Sequence, residues 1–248
     1  MNRALFFNAE LSSGRLHLPS DDRRAQHMRS VLRVKPGDTI QVGVVNGRRG
    51  EAVVEAVDPG GVTLLVSRLD IPADALYPVT LLLGHPRPIV LKRILKDAVT
   101  AGYGRIHVVR GETTERSYME SRLWDCEADL QNLLIQGAEQ AGGSKLPELK
   151  RFWSLSRWLD EQGLQPGECG LVLDPASDGV SHQISDCCQY EHDRGFVAAV
   201  GSERGWSSSE IAQLKAAGFS AVRLGNRVLR TETAVQWAIA GLVSLVTP

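Results

Sequence analysis

Short apolar runs broken by polar residues and turns fill the first part of the chain. Ile40-Gln41-Val42-Gly43-Val44, Glu51-Ala52-Val53-Val54-Glu55-Ala56-Val57 and Val62-Thr63-Leu64-Leu65-Val66 read as strands. Pro36-Gly37-Asp38, Asn46-Gly47 and Asp58-Pro59-Gly60-Gly61 separate them as hairpin turns. A small closed or half-closed β domain follows. Ahead of the strands, Ala25, Met28 and Leu32 recur at helical spacing behind Ser20, Asp21 and Asp22, which predicts a short helix over 20–32. Residues 71–78, with Pro72 and Pro78, read as a linker.

From Val79 onward the pattern becomes strands alternating with helices, which predicts a mostly parallel sheet. Strands are expected at 79–83, 106–109, 170–173, 196–200 and 221–224, and helices at 89–101, 123–141, 208–217 and 233–246. Ser207 and Glu210 have capping-box spacing ahead of the third of these helices, and Gly218 stands just past its end. The last helix is apolar nearly all round, so the sheet can cover only one of its sides; a second copy of the chain covers the other in a homodimer.

With 248 residues, 43% hydrophobic and 23% charged, the composition is that of an ordinary globular protein. No apolar run approaches membrane-spanning length and the N-terminus lacks a signal-peptide core, so a cytoplasmic location is expected, with no membrane partner. The four cysteines form no C-x-x-C pair and are expected as thiols. A net charge of −1 gives no support to a nucleic-acid partner. The first 70 residues carry ten Lys/Arg against eight Asp/Glu and the rest eighteen against twenty-one, a mild basic bias at the N-terminal end.

Three loops at predicted strand ends carry the candidate chemistry: Leu173-Asp174-Pro175, Gly201-Ser202-Glu203-Arg204-Gly205 and Leu224-Gly225-Asn226-Arg227. At the carboxyl ends of parallel strands such loops offer free backbone groups to a small polar ligand, though glycine-bearing loops are as often plain connections. No G-x-G-x-x-G follows any predicted strand, and residues 137–145 fail the phosphate-loop pattern. His182, Cys187, Cys188 and His192 fit a solvated loop better than a metal site, and His85 and His107 read as structural histidines. Arg227 and Arg230 stand just before a helix start, where a cation is unfavourable unless an anion compensates it.

Several motifs occur in order along essentially the whole chain: His27-Met28-Arg29-Ser30-Val31-Leu32-Arg33, Glu115-Arg116-Ser117, Glu139-Gln140, Leu146-Pro147, Gly201-Ser202-Glu203-Arg204-Gly205, and Leu224-Gly225-Asn226-Arg227-Val228-Leu229-Arg230-Thr231-Glu232-Thr233-Ala234. In these the sequence resembles the family of 16S ribosomal RNA uridine-N3 methyltransferases. The resemblance implies a PUA-like β-barrel domain over 1–70 and a SPOUT-type trefoil-knotted α/β domain over 79–248. It also implies S-adenosylmethionine as cofactor, 16S ribosomal RNA, free or in the small subunit, as substrate, a homodimer, and no metal. Carried over by residue, it assigns cofactor binding to Leu173, Gly201, Ser202, Glu203, Leu224, Gly225, Val228, Leu229 and Arg230. Arg230, Glu232 and Glu203 become the catalytic candidates, and His27, Arg29, Arg33 and Arg116 the RNA contacts. The family's usual Gly-Pro-Glu-Gly-Gly is here Gly201-Ser202-Glu203-Arg204-Gly205, which removes a fixed-φ proline and one glycine. Two other classes stay open: a non-catalytic RNA-binding or ribosome-assembly factor on the same fold, and a small-molecule enzyme on an α/β sheet.

Overall fold

The structure is a computed structural model that describes residues 2–177 and 195–246. His182, Cys187, Cys188 and His192 lie outside these residues. The chain divides into two compact units, one of Met1–Ala75 with Leu134–Leu146, the other of Leu76–Leu133 with Pro147–Pro248.

The first unit is built on a six-stranded sheet of β1 (Ala4–Phe6), β2 (Leu11–Ser12), β3 (Arg15–Pro19), β4 (Thr39–Val44), β5 (Arg49–Asp58) and β6 (Gly61–Ile71), in the order β1-β4-β5-β6-β3-β2. All pairs are antiparallel except β1 with β4. In β3 burial alternates strictly, Leu16 and Leu18 inward, and these pack with Phe6, Val42, Val54 and Leu64 as one core. The β5–β6 turn is locked by Asp58, whose carboxylate accepts the Gly60 and Gly61 N–H groups at 2.7 and 3.2 Å. The predicted helix over 20–32 is instead α1 (Arg23–His27), capped by Asp22, running into a π-type turn at Met28–Leu32 that Arg33 ends at φ 53°. At the start of α1 the Arg24 guanidinium pairs with Asp22 and Glu10 at 2.7 and 2.5 Å.

The segment Leu134–Leu146 buries Leu134, Ile135 and Ala138 and is also held in this unit by polar contacts. Glu139, 1% exposed, accepts the Leu5 N–H at 3.1 Å and Arg23 at 2.5 Å, and its carbonyl accepts the Asn2 and Arg3 N–H groups. Ser144 donates through its hydroxyl to the Gly47 carbonyl at 2.7 Å and through its N–H to Asp74 at 2.7 Å. Strands β1 and β2, and β3 before the helix, were not expected from the sequence.

The second unit holds a wholly parallel sheet, β12-β10-β11-β7-β8-β9, of β7 (Tyr77–Gly84), β8 (Tyr103–Val109), β9 (Glu148–Phe152), β10 (Cys169–Leu173), β11 (Phe196–Val200) and β12 (Phe219–Val222). The central strands are buried without interruption, Val79–Gly84 in β7 and all of β11, because both faces are covered. Helices α2 (Pro88–Ala101) and α7 (Thr231–Val246) pack together, α7 lying against β7 and β11. Phe152, Val172 and Val197 pack with Leu155 and Trp158 of α5 (Leu155–Glu161) and Leu214 of α6 (Ser208–Ala216) in a separate core. Short α3 (Arg116–Met119) and α4 (Glu127–Ala141) complete the helices. The predicted capping box is present at α6, with Ser207 and Glu210 bonded reciprocally. Among the described residues no helix is long and apolar enough to cross a membrane. Cys169 is disulfide-bonded, contrary to the expected thiol, while Cys126 is free.

Both histidines read as structural are buried. His85 is satisfied at both ring nitrogens, donating to the Pro86 carbonyl at 2.6 Å and accepting from Trp124 at 2.9 Å. His107 accepts from the Trp158 indole at 2.9 Å through Nδ1, while its Nε2 is buried with no partner among the described residues. Burial pushes the His107 imidazole down to about 4 from 6.5. The folded state therefore prefers neutral His107, and its stability is expected to be unaffected above pH 6.5 and to fall between pH 6.5 and 4 by about 3 kcal/mol from this group. Urea unfolding at stepped pH should show that slope, and His107→Gln should reduce it; an equal slope in the variant would contradict the assignment.

Candidate active site

Because every strand of the second sheet runs the same way, the loops after β10, β11 and β12 emerge at one edge. They enclose a cavity of about 820 Å³ whose walls come from the ends of these strands, the loop after β7 and the run leading into α7. That volume suits a cofactor-sized ligand.

The loop after β11 is shaped by close backbone approach. A Cβ on Gly201 would lie 2.7 Å from the Gly205 backbone, and one on Gly84, at the end of β7, would lie 2.8 Å from the Ser202 nitrogen. Both positions therefore require glycine. The turn closes with the Gly205 N–H donating to the Ser202 carbonyl at 2.9 Å, Gly205 itself at φ 71°. Arg204, at the position where the family usually has glycine, does not take a positive φ, so the turn forms without strain there. Glu203 reaches the start of α2, where its carboxylate accepts the Arg87 N–H at 3.0 Å and meets an otherwise open helix end.

Leu173, Gly201, Ser202, Glu203, Leu224, Val228, Leu229, Arg230 and Glu232 all line this one cavity. Gly225 is not among the lining residues; its φ of 72° sets the turn of the loop after β12. Val228 is 83% exposed and Arg230 is exposed, whereas Glu232, in the first turn of α7, is half-buried. Of the expected RNA contacts, His27, Arg29 and Arg33 lie in the first unit, with Arg29 and Arg33 exposed. Arg116 lies in the second, exposed and paired with Glu120 at 2.8 Å.

Sequence reasoning missed Arg87, Arg223 and Trp206. Each follows a strand end or its loop directly, so treating the loop after β7 like the others would have found the first. The Nε of Arg223 and the Nε1 of Trp206 are buried at the cavity without a partner among the described residues. Such donors at a cavity wall suit a ligand with acceptor atoms. Arg87 caps α2 and Arg230 precedes α7, so two cations stand at helix N-termini facing the same space. Helix dipoles oppose that placement, and an anionic partner relieves it. Among the described residues no cluster of three or more His, Cys, Asp or Glu side chains could hold a metal ion.

A glycine-pinned cavity at the carboxyl edge of a parallel sheet, in a chain that also carries a separate small β unit, is the architecture of an RNA methyltransferase of the SPOUT type. A family model for the RNA methyltransferase domain matches residues 73–243, and one for the RNA methyltransferase PUA domain matches residues 21–67. The chain is 36% identical over 245 residues to ribosomal RNA small subunit methyltransferase E of Treponema pallidum (strain Nichols), spanning 97% of this chain and 90% of that one. It is 27% identical to ribosomal RNA small subunit methyltransferase E 1 of Borreliella burgdorferi, spanning 94% of each. The chain belongs to the ribosomal RNA small subunit methyltransferase E family. Among solved structures it is similar to the Neisseria gonorrhoeae member bound to S-adenosyl methionine, with TM-score 0.74, 26% identity, and 99% and 98% of the two chains covered. The fold class expected from the resemblance, a knotted SPOUT-type α/β domain with a PUA-like β-barrel domain, is the one found.

Gly201→Ala is expected to cost about 1–3 kcal/mol, since the added methyl meets backbone that cannot swing aside. Gly205→Ala, whose Cβ meets nothing within 4 Å, pays only for its positive φ, about 1 kcal/mol. Equal losses in denaturant melts of the two variants would contradict the close-approach reading.

Proposed function

We propose that this chain is a cytoplasmic enzyme that transfers a methyl group from S-adenosylmethionine to N3 of a uridine in the decoding region of 16S ribosomal RNA. The observation that carries the reading is the convergence of three carboxyl-end loops on one cavity with Arg87 and Arg230 at its rim. The names of the relatives, and the S-adenosyl methionine bound to the Neisseria protein, support it.

The cavity fits the cofactor: its size is right, its glycine loops expose backbone groups, and Trp206 and Arg223 offer donors that are unpaired among the described residues. When bound, S-adenosylmethionine supplies an activated methyl group on a sulfonium centre. Backbone groups of Leu173, Gly201 and Leu224 hold its polar parts, Val228 and Leu229 form apolar walls, Ser202 contributes a hydroxyl, and Gly225 sets the loop. Uridine N3 bears a proton and is a poor nucleophile until that proton leaves. Arg230, exposed at the rim, stabilises negative charge growing on the uracil oxygens through charge-assisted bonds. Glu232 is the base that accepts the proton. Glu203, committed to the Arg87 N–H, orients the loop rather than moving a proton.

Residues 1–70 serve as the RNA-binding domain, 71–78 as linker and 79–248 as the methyltransferase domain with its C-terminal knot. His27, Arg29, Arg33 and Arg116 contact RNA phosphates, which fix register without reading bases. The protein works as a homodimer through α7. That helix buries Val235, Ala238, Ile239 and Leu242 in its own domain and leaves Trp237 53% exposed, so it has a second face to cover.

Titration calorimetry is expected to show one S-adenosylmethionine site per chain. Arg230→Ala should keep cofactor binding while lowering methyl transfer to small-subunit RNA about a hundredfold; a wild-type chain that binds both ligands without transfer would place it among non-catalytic assembly factors. In sedimentation, Trp237→Glu should give monomer where the unsubstituted chain gives dimer, and a wild-type monomer at micromolar concentration would exclude the α7 interface.

A further inference from the structure

The cofactor cavity takes the β12-β10-β11 half of the sheet edge together with the loop after β7. The other half, after β8 and β9, carries a stack of side chains that the methyl-transfer chemistry leaves unused. Trp153, the first residue after β9, is 41% exposed although tryptophan is normally well covered. The Arg151 guanidinium lies 5.4 Å from its ring centroid and 5.0 Å from that of Trp124, so one cation is placed against two indoles.

This stack is held from behind. Arg151 donates to the Met119 carbonyl at 2.7 Å, and the Trp124 indole donates to His85 at 2.9 Å. The His85 ring is fixed in turn by its 2.6 Å bond to the Pro86 carbonyl, just before Arg87 at the cavity. Three spacers of a sheet separate β9 from β11, about 14 Å, so the stack and the cavity sit on one edge a short step apart.

We infer that Trp153, backed by Arg151, is a stacking platform for an unpaired base of the RNA substrate beside the nucleotide being methylated. An exposed aromatic ring with a cation behind it suits a nucleic-acid strand: the ring takes any base face, and the charge favours the phosphates. A hydrophobic protein partner would ask for a wider apolar patch, whereas Arg122 and Glu120 beside this segment are exposed and charged. Preordering by Met119 and His85 lowers the entropy lost when the base lands. Trp153 is thus a positioning residue, acting on the substrate strand and not on the reacting atoms. The inference rests on the methyltransferase reading for its substrate, yet its RNA contact is measurable without turnover.

Short oligouridine is expected to bind Trp153→Ala about tenfold more weakly than the unsubstituted chain, with Trp153→Phe restoring most of the affinity. Methylation of small-subunit RNA by Trp153→Ala should show a raised KM for RNA, with kcat and S-adenosylmethionine affinity unchanged. In the unsubstituted protein, oligouridine should shield Trp153 from hydroxyl-radical oxidation, a measurement that needs no variant. Absence of shielding, equal oligouridine affinity in Trp153→Ala, or shielding of Trp153 by protein concentration alone would each overturn the inference. If the wild-type chain shields Trp153 with oligouridine but transfers no methyl group, the methylation reading fails and the RNA platform stands.

Discussion

Where the loop after β11 crosses the end of β7, Gly84 has no room for a Cβ against the Ser202 nitrogen, and within the loop itself Gly201 has none against the Gly205 backbone. Much of the site depends on that contact. It places Ser202 against β7, turns the chain tightly through Gly205, and delivers Trp206 into the cavity wall. It also carries Glu203 to the Arg87 N–H, so that the start of α2 is tied to the same loop. Beyond Trp206 the chain enters α6 through the Ser207–Glu210 capping box, and Glu210 accepts a further bond from the Glu112 N–H at 2.9 Å. A loop that needed side-chain volume at either glycine would have to move away and open the cavity.

The charge distribution answers a difficulty that net charge raises. A chain of net charge −1 has no global field to attract RNA, so attraction must be local. Arg87 and Arg230 stand at helix N-termini, where the dipole makes a cation unfavourable in isolation. Arg223 is half-buried, and its Nε has no partner among the described residues. These placements make sense around an anionic or acceptor-rich ligand. Elsewhere several arginines are held in ion pairs: Arg24 with Asp22 and Glu10, Arg15 with Glu55, and Arg105 with Glu168.

The sheet's buried strands were legible because both faces are covered, which writes near-continuous apolar runs such as Phe196–Val200. The capping box at α6 and the loops after β10, β11 and β12 were legible for equally local reasons. Strand β9 was not. It is an edge strand reading Glu-Leu-Lys-Arg-Phe, with one neighbour and mostly polar side chains, so neither period nor apolarity marks it. The helix predicted over 123–141 starts at Glu127, after a separate 3-10 turn at Arg122–Trp124, and its spacing cannot reveal that Leu134–Leu146 groups with the first unit through Glu139 and Ser144. Gly225 was assigned to cofactor binding from its motif, and its positive φ is a backbone property that the motif alone does not separate from ligand contact. Trp153 was missed because its meaning depends on β9 and on Arg151 lying behind it.

The cavity at this sheet edge is proposed to serve methylation of a ribosomal uridine. Mass mapping of modified nucleosides in small-subunit ribosomal RNA, from cells with and without this chain, tests it most directly. One 3-methyluridine, in the decoding region, should disappear with the chain and return with the wild-type gene but not with the Arg230→Ala form. An unchanged set of modified nucleosides, or loss of a methyl group at a different base or atom, would contradict it.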